Sequence, residues 1–169
     1  MPRRSELDAS TADRAHRLGE VGESLAEKVL LESGFANVRN LNRDVPNYPY
    51  ADFYAERGKD RYAISVKMRN KYETGGRLNS RYKLGSKCYD LAKRAERALN
   101  VQAAWLAIAL ESEVFCAYFG LLSQLGGSRG IGMAPSVLKN YECLVQNQEH
   151  GLEYAALKNV YRPVAADSR

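Results

Sequence analysis

Residues 48 to 70 read Y-P-Y-A-D-F-Y-A-E-R-G-K-D-R-Y-A-I-S-V-K-M-R-N, and this stretch decides the fold. Runs rich in aromatic and β-branched residues flank Gly58-Lys59-Asp60, which has the composition of a turn. The pattern predicts a β-hairpin with strands at Ala51–Glu56 and Arg61–Met68. Side chains along a strand alternate between the two faces of a sheet. One face of the second strand would carry Tyr62, Ile64 and Val66, and the other Ala63, Ser65 and Lys67.

A long amphipathic helix precedes this hairpin. Ser10 or Thr11 can cap its start, and Gly34 ends it directly after Ser33. At about 100° per residue, one broad face collects Leu18, Val21, Gly22, Leu25, Ala26, Val29 and Leu30. Glu23 falls at the edge of that face, whereas Glu20 and Glu27 fall well outside it. Glu23 is therefore the one of these three glutamates that can reach a sheet packed against the helix.

The remaining segments complete a mixed α/β pattern in the order α-β-β-β-α-β. A short strand over Phe35–Leu41 comes before the hairpin, and a basic amphipathic helix over Cys88–Asn100 comes after it. Core strands are predicted at Gln102–Leu110 and Val114–Phe119. Loops are predicted at 42–50, 70–86 and 127–130, with a helical turn at 135–141. We expect one domain over residues 1–169, with 1–10 and 163–169 loosely ordered.

The composition is that of a folded globular protein. Of its 169 residues, 45% are hydrophobic and 27% are charged, which argues against a disordered chain. The formal net charge of +5 favours an anionic partner without identifying it. Three widely spaced cysteines, Cys88, Cys116 and Cys143, fit a reducing compartment better than a zinc site or a disulfide framework. The polar N-terminus and the lack of a long apolar window predict a cytoplasmic protein without membrane contact.

Three stretches together resemble a known superfamily. Residues 19 to 35 read G-E-V-G-E-S-L-A-E-K-V-L-L-E-S-G-F, and the two hairpin strands add the segments around Asp52 and Lys67. The combination is similar to the PD-(D/E)xK nucleases, particularly the archaeal Holliday-junction resolvases and related small bacterial endonuclease-like proteins. The matching positions are Gly19, Glu23, Gly34-Phe35, Asp52 and Ser65-Val66-Lys67.

The resemblance implies a single restriction-endonuclease-like domain, with a mixed β-sheet flanked by helices. It also implies a metal-dependent endonuclease that hydrolyses phosphodiester bonds in branched or structured DNA and works as a homodimer. Glu23 and Asp52 would bind Mg²⁺ or Mn²⁺, hard cations that prefer oxygen ligands. Lys67 would stabilise the attacking water or the developing negative charge, and Ser65 would line the site.

The sequence departs from the family's pattern at Ser65, which replaces a carboxylate two residues before the lysine. Some restriction endonucleases with S-V-K compensate with a glutamate further along, in a region that Asn79 and Ser80 occupy here. Glu23 would then supply the second carboxylate, and a main-chain carbonyl near Val66 would complete the shell. The alternative is a catalytically degenerate nuclease fold that only binds DNA or RNA. A third hypothesis is a basic interaction protein with an acidic partner.

Each residue of this set also has a purely structural interpretation. Glu23 can be a solvated helix glutamate. Asp52 can be a residue at the start of a strand that accepts hydrogen bonds from nearby backbone N–H groups. Lys67 can be an edge-strand lysine that blocks aggregation. Strand alternation does not decide the last case, because it places Lys67 with Ser65 whichever face is buried.

A basic segment, residues 69–87, follows the lysine strand directly and contains Glu73 as its only acidic residue. Cationic side chains neutralise phosphates, and Tyr72 and Tyr82 between them can stack on unpaired bases. The predicted nucleic-acid contacts are Arg69, Lys71, Arg77, Arg81, Lys83 and Lys87. The alternative is a solvated mobile loop next to an ordinary charged helix. Nothing in the segment predicts base-specific contacts.

Overall fold

A computed structural model of the protein describes residues 21–152. Helix α1 occupies residues 21–32 of that range and ends in a turn at Gly34, whose φ of +85° is a conformation that glycine adopts without strain. The predicted helix start, Gly19 and the predicted loose ends lie outside the described residues. The other helices are α2 (Leu41–Asp44), α3 (Cys88–Leu99) and α4 (Pro135–Leu138), with a 3-10 helix at Leu122–Leu125. Within residues 21–152, no helix is long and apolar enough to cross a membrane.

Eight strands form two sheets in the described part of the chain. They are β1 (Ala36–Asn40), β2 (Phe53–Arg57), β3 (Asp60–Asn70), β4 (Arg81–Lys83), β5 (Gln102–Leu110), β6 (Val114–Leu121), β7 (Gly130–Gly132) and β8 (Glu142–Glu149). The large sheet has the order β1-β2-β3-β5-β6-β8, and β4 pairs with β7 in a small second sheet. Strands β3 and β5 are parallel, while the other pairs of the large sheet are antiparallel. The predicted class, a mixed β-sheet flanked by helices, is confirmed.

Strand β3 is a central strand with structure on both faces. Tyr62 and Ile64 pack into the main core with the apolar side of α1, whereas Ala63 packs on the other face with Ala95 of α3. β3 also has hydrogen-bonded neighbours on both sides, β2 and β5. The interpretation of Lys67 as an edge-strand lysine is therefore wrong for the folded protein.

The structure corrects the sequence prediction in three regions. Residues 42–44 of the predicted loop 42–50 are helical and belong to α2. The Asn40 side chain stabilises this short helix as its N-cap, because it accepts from two backbone N–H groups. The predicted loop 70–86 contains a β-bridge between Tyr72 and Leu78 and the short strand β4. Beyond residue 126, strands β7 and β8 were not predicted. β8 reads E-C-L-V-Q-N-Q-E and buries Val145 alone, so it lacks the apolar pattern of a core strand.

The large sheet is curled, so strands that are far apart in the sheet order lie close together. The rings of Phe35, Tyr62 and Phe119 pack edge to face, with centroids 5.2 to 6.1 Å apart. Arg57 of β2 donates two hydrogen bonds of 2.7 Å to Glu142 of β8, although β3, β5 and β6 lie between these strands in the sheet. The Arg57 guanidinium also lies 4.5 Å from the centre of the Phe35 ring. These contacts close one main core, which includes the apolar face of α1.

A second core surrounds Trp105, the single tryptophan. Trp105 is 1% exposed and lies edge to face with Tyr141, at a centroid distance of 4.6 Å. Its indole covers Gly120 of β6 so closely that a Cβ at Gly120 would overlap the ring. Of the large aromatic residues in the two predicted core strands, Trp105, Phe115 and Phe119 are buried.

We expect Gly120→Ala to lower the free energy of unfolding by about 1–3 kcal/mol, because overpacking displaces the Trp105 ring. Urea unfolding followed by the fluorescence of Trp105 measures the change. Gly75→Ala is the matched control, since a Cβ at Gly75 meets no atom within 4 Å. Equal effects of the two substitutions would contradict the predicted clash.

Candidate functional site

Glu23 and Asp52 lie beside each other although they come from different elements. Glu23 is near the start of the described part of α1, and Asp52 immediately precedes β2. Helix α1 lies close against β3 because Gly22 faces Met68, and a Cβ at Gly22 would be only 3.3 Å from Met68 Cε. Glu23 is half-buried and accepts two side-chain hydrogen bonds, so it is not a freely solvated helix glutamate.

Two asparagines donate to these carboxylates, and one of them, Asn42, donates to both. Asn42 Nδ2 donates to Glu23 Oε1 at 3.1 Å and to Asp52 Oδ1 at 2.9 Å. Asn40 Nδ2 donates to Glu23 Oε2 at 2.9 Å, and the Val66 backbone N–H donates to Asp52 Oδ2 at 2.7 Å. Each of the four carboxylate oxygens thus accepts one hydrogen bond. Acids this close repel each other unless a donor or a cation offsets their charge, and here these neutral donors contribute together with the Lys67 ammonium.

Asp52 is also fixed through its backbone. Its N–H donates to Ile64 O, and its carbonyl accepts from Leu41 N–H, both at 2.9 Å. Together with the Val66 bond, these contacts agree with Asp52 as a structural residue at the start of a strand. Asn42 donates to both Asp52 and Glu23, so Asp52 also belongs to a polar cluster.

Burial and neighbouring charges change the acidity of Asp52 and Lys67. Burial raises the pKa of Asp52, the Glu23 carboxylate adds to the increase, and the bonds from Val66 and Asn42 oppose it. Burial lowers the pKa of the Lys67 ammonium, and the Asp52 carboxylate opposes that change. Lys67 also favours the ionised form of Asp52, whose carboxylate accepts from the N–H of the adjacent residue, Val66.

Ser65 contributes no charge to this cluster. It is 3% exposed and, by strand alternation, shares its face of β3 with Lys67. In residues 21–152, no group of three or more His, Cys, Asp or Glu side chains is placed to hold a metal ion. The cluster therefore offers two carboxylates, and the rest of a cation's shell would come from neutral oxygens or water.

The first half of the basic segment forms a narrow hairpin at the end of β3. Asn79 N donates to Lys71 O at 2.8 Å, and Glu73 N donates to Arg77 O at 2.7 Å. Tyr72 is 48% exposed, and Lys71 Nζ lies 5.5 Å from the centre of its ring. Residues 71–79 thus form a hydrogen-bonded hairpin within the predicted loop 70–86.

The six predicted nucleic-acid contacts differ in exposure. Four are exposed to solvent: Arg77, Arg81, Lys83 and Lys87. Two of these flank the buried Tyr82 on β4, so they point away from the core. Arg69 is half-buried and donates to Met68 O at 2.8 Å, while Lys71 Nζ lies 3.7 Å from a Glu111 carboxylate oxygen. The exposed four are therefore better placed to bind phosphates.

Sequence reasoning missed Asn40, Asn42 and Tyr50. Tyr50 precedes Asp52 by two residues: its hydroxyl donates to Ala104 O at 2.6 Å, and burial raises its pKa, with Cys88, Tyr89 and Asp52 adding to the increase. The signal in the sequence was the N-L-N triplet that ends the first predicted strand. Asn40 caps the start of α2 and Asn42 lies inside this helix. The triplet therefore places one amide side chain directly before the helix and one within it.

The fold is similar to that of a solved nuclease. Hjc, a Holliday junction resolvase from the archaeal hyperthermophile Archaeoglobus fulgidus, matches with a TM-score of 0.50 and 20% sequence identity. The match covers 70% of this chain and 89% of the resolvase chain. At this identity the similarity establishes the fold, a restriction-endonuclease-like one, and not the activity. No protein-family model matches the sequence, and no curated protein matches it either.

We expect Asp52→Asn to gain stability relative to the wild type as the pH rises above the ordinary carboxyl value of 3.8. Because the folded pKa of Asp52 is raised, the folded state keeps its proton after the unfolded state has lost it. The wild-type free energy of unfolding therefore falls with pH across that interval, while an asparagine contributes no such change.

Urea unfolding of both proteins between about pH 4 and pH 8 measures this difference. The difference should become constant once the pH exceeds the folded pKa of Asp52. A wild type that instead gains on the variant with rising pH would show a lowered pKa and contradict the role of burial.

Proposed function

We propose that this protein is a metal-dependent DNA endonuclease. The observation that carries the proposal is the donor shared by Glu23 and Asp52, which brings two carboxylates from separate elements to one point. Lys67 lies near enough to favour the ionised form of Asp52. The similarity of the fold to that of a Holliday junction resolvase supports the same class of chemistry.

Glu23 and Asp52 would hold the cation, and Mg²⁺ or Mn²⁺ fits them. Both side chains are hard oxygen ligands, and Mg²⁺ is commonly bound through one or two carboxylates while it keeps several waters. Two acids therefore suffice without the carboxylate that Ser65 replaces. When bound, the cation would polarise the scissile phosphate and lower the pKa of a water molecule.

Lys67 would stabilise the negative charge that develops on the phosphate. Asp52 favours the charged form of the Lys67 ammonium against the effect of burial. A half-buried ammonium interacts more strongly with a nearby charge than one in bulk water does, because the local dielectric is lower. Ser65 would line the same face of β3 without binding the cation.

DNA is the proposed substrate because a basic surface adjoins the site. Strand β3 leads from Lys67 directly into the 71–79 hairpin, which presents Arg77, and β4 adds Arg81 and Lys83. Such cations bind phosphates independently of sequence. The resolvase-like fold favours a branched or otherwise structured DNA and a homodimer as the active form.

A second candidate function is a nucleic-acid-binding module that has lost catalysis. Ser65 favours it, since a buried hydroxyl is a weaker ligand for a hard dication than a carboxylate. Such a module would keep the basic surface and bind DNA or RNA without cleaving it.

Cleavage of supercoiled plasmid and of four-way-junction DNA tests the proposal. With Mg²⁺ or Mn²⁺ the wild type should cut at least one substrate, and EDTA should abolish the reaction. Asp52→Asn, Glu23→Gln and Lys67→Met should each lower the rate by about 100-fold or more, because each removes charge from the reacting centre.

Glu32→Gln and Lys59→Met are the matched controls. They make the same chemical changes at exposed residues on α1 and at the β2–β3 turn, and they should leave the rate unchanged. Absence of cleavage on every substrate, with salt-sensitive DNA binding intact, would reject the endonuclease and favour the binding module. Absence of binding at low salt would reject both.

Arg77→Ala combined with Lys83→Ala should weaken DNA binding and flatten its salt dependence. Removing one cation that neutralises a phosphate should reduce the slope of log K against log salt by about 0.9. Fluorescence anisotropy with labelled DNA over a series of salt concentrations measures the slope. Lys59→Ala with Arg61→Ala removes the same charges at the opposite end of β3, and a similar weakening there would argue against a localised DNA surface.

A further inference from the structure

The amide nitrogen of Asn42 occupies the point between the two carboxylates. An amide NH₂ group carries two donors, and Asn42 Nδ2 bonds both Glu23 Oε1, at 3.1 Å, and Asp52 Oδ1, at 2.9 Å. A single neutral nitrogen therefore donates to both acids and offsets part of the repulsion between them. No other side chain in the described part of the chain donates to both acids.

The direction of this amide is set by its surroundings. Asn42 Oδ1 accepts from the Tyr48 backbone N–H at 3.1 Å, so the oxygen is turned away from the acids. The Asn42 backbone N–H donates to Asn40 Oδ1 at 2.9 Å. Asn40 is 7% exposed and donates its own Nδ2 to Glu23 at 2.9 Å. Turning the Asn42 oxygen toward the acids would break three hydrogen bonds and place three acceptors together.

We propose that Asn42 is a positioning residue that substitutes for a cation in the metal-free protein and competes with a divalent cation for Glu23 and Asp52. The assignment of these two acids as cation ligands rests on the proposed function. The N–H dipoles of the amide offset the repulsion between the acids, so the chain can fold before metal is bound. A dication offsets the same repulsion more strongly, but it must displace the hydrogen bonds of Asn42, which lowers its apparent affinity.

Asn42→Asp tests this inference, because it replaces the donor with an acid of the same size. In EDTA, three acids would face one another, and the midpoint of thermal unfolding should fall clearly below that of the wild type. Adding Mn²⁺ should restore it. Isothermal titration calorimetry with Mn²⁺ should show binding at least about tenfold tighter than in the wild type, because cation affinity rises with the number of charged ligands.

Asn47→Asp is the matched control. It adds the same charge at an exposed residue of the neighbouring segment, where φ is +56° and aspartate is tolerated. This variant should keep the wild-type stability in EDTA and the wild-type affinity for Mn²⁺. Asn42→Ala gives a second measure: it removes the competing amide without adding charge, so it should bind Mn²⁺ at least as tightly as the wild type.

The inference is overturned if Asn42→Asp behaves like Asn47→Asp in EDTA, if it gains no affinity for Mn²⁺, or if Asn42→Ala binds Mn²⁺ more weakly than the wild type. These outcomes are separate from those of the cleavage assay. A wild type that cuts no DNA, together with the expected behaviour of the Asn42 variants, would reject the endonuclease and support the role of Asn42.

Discussion

Asp52 joins the fold to the candidate site. Its backbone pairs with Ile64 and Leu41, and its carboxylate accepts from Val66 and Asn42. One residue thus ties the segment that leaves β1 to the centre of β3. Leaving the partly buried Val66 N–H without a partner would cost up to about 1–3 kcal/mol, so the carboxylate stabilises the fold whatever chemistry it supports.

The asparagine between two acids has an electrostatic effect that a charged residue would not reproduce. In a partly buried site, the repulsion between carboxylates is stronger than in water. An arginine or lysine in place of Asn42 would offset it with a full charge and would exclude a cation from the same position. An amide offsets only part of it and remains replaceable. The cluster of Glu23, Asp52 and Asn42 is therefore suited to reversible binding of a cation.

Periodicity in the sequence predicted the positions of several residues of the candidate site. Helical phase singled out Glu23, and strand alternation placed Ser65 with Lys67 on one face of β3. Strand β5 has the predicted bounds, Gln102–Leu110, because its apolar run has no competing interpretation. Asn42 escaped notice because its role depends on α2, a helix of four residues whose formation relies on a side-chain cap. Helices this short leave no periodic signal.

The parallel pairing of β3 with β5 has a consequence for how the protein folds. The β2–β3 and β5–β6 hairpins each form between neighbouring segments, whereas the β3–β5 pair joins Tyr62 to Gln102. Pairs so distant in sequence form late, because the intervening chain must first be closed into a loop. Until the two hairpins dock, β3 is an edge strand, and its charged end around Lys67 and Arg69 discourages pairing with other chains. A protective role of Lys67 against aggregation is therefore restricted to chains in which β3 has not yet paired with β5.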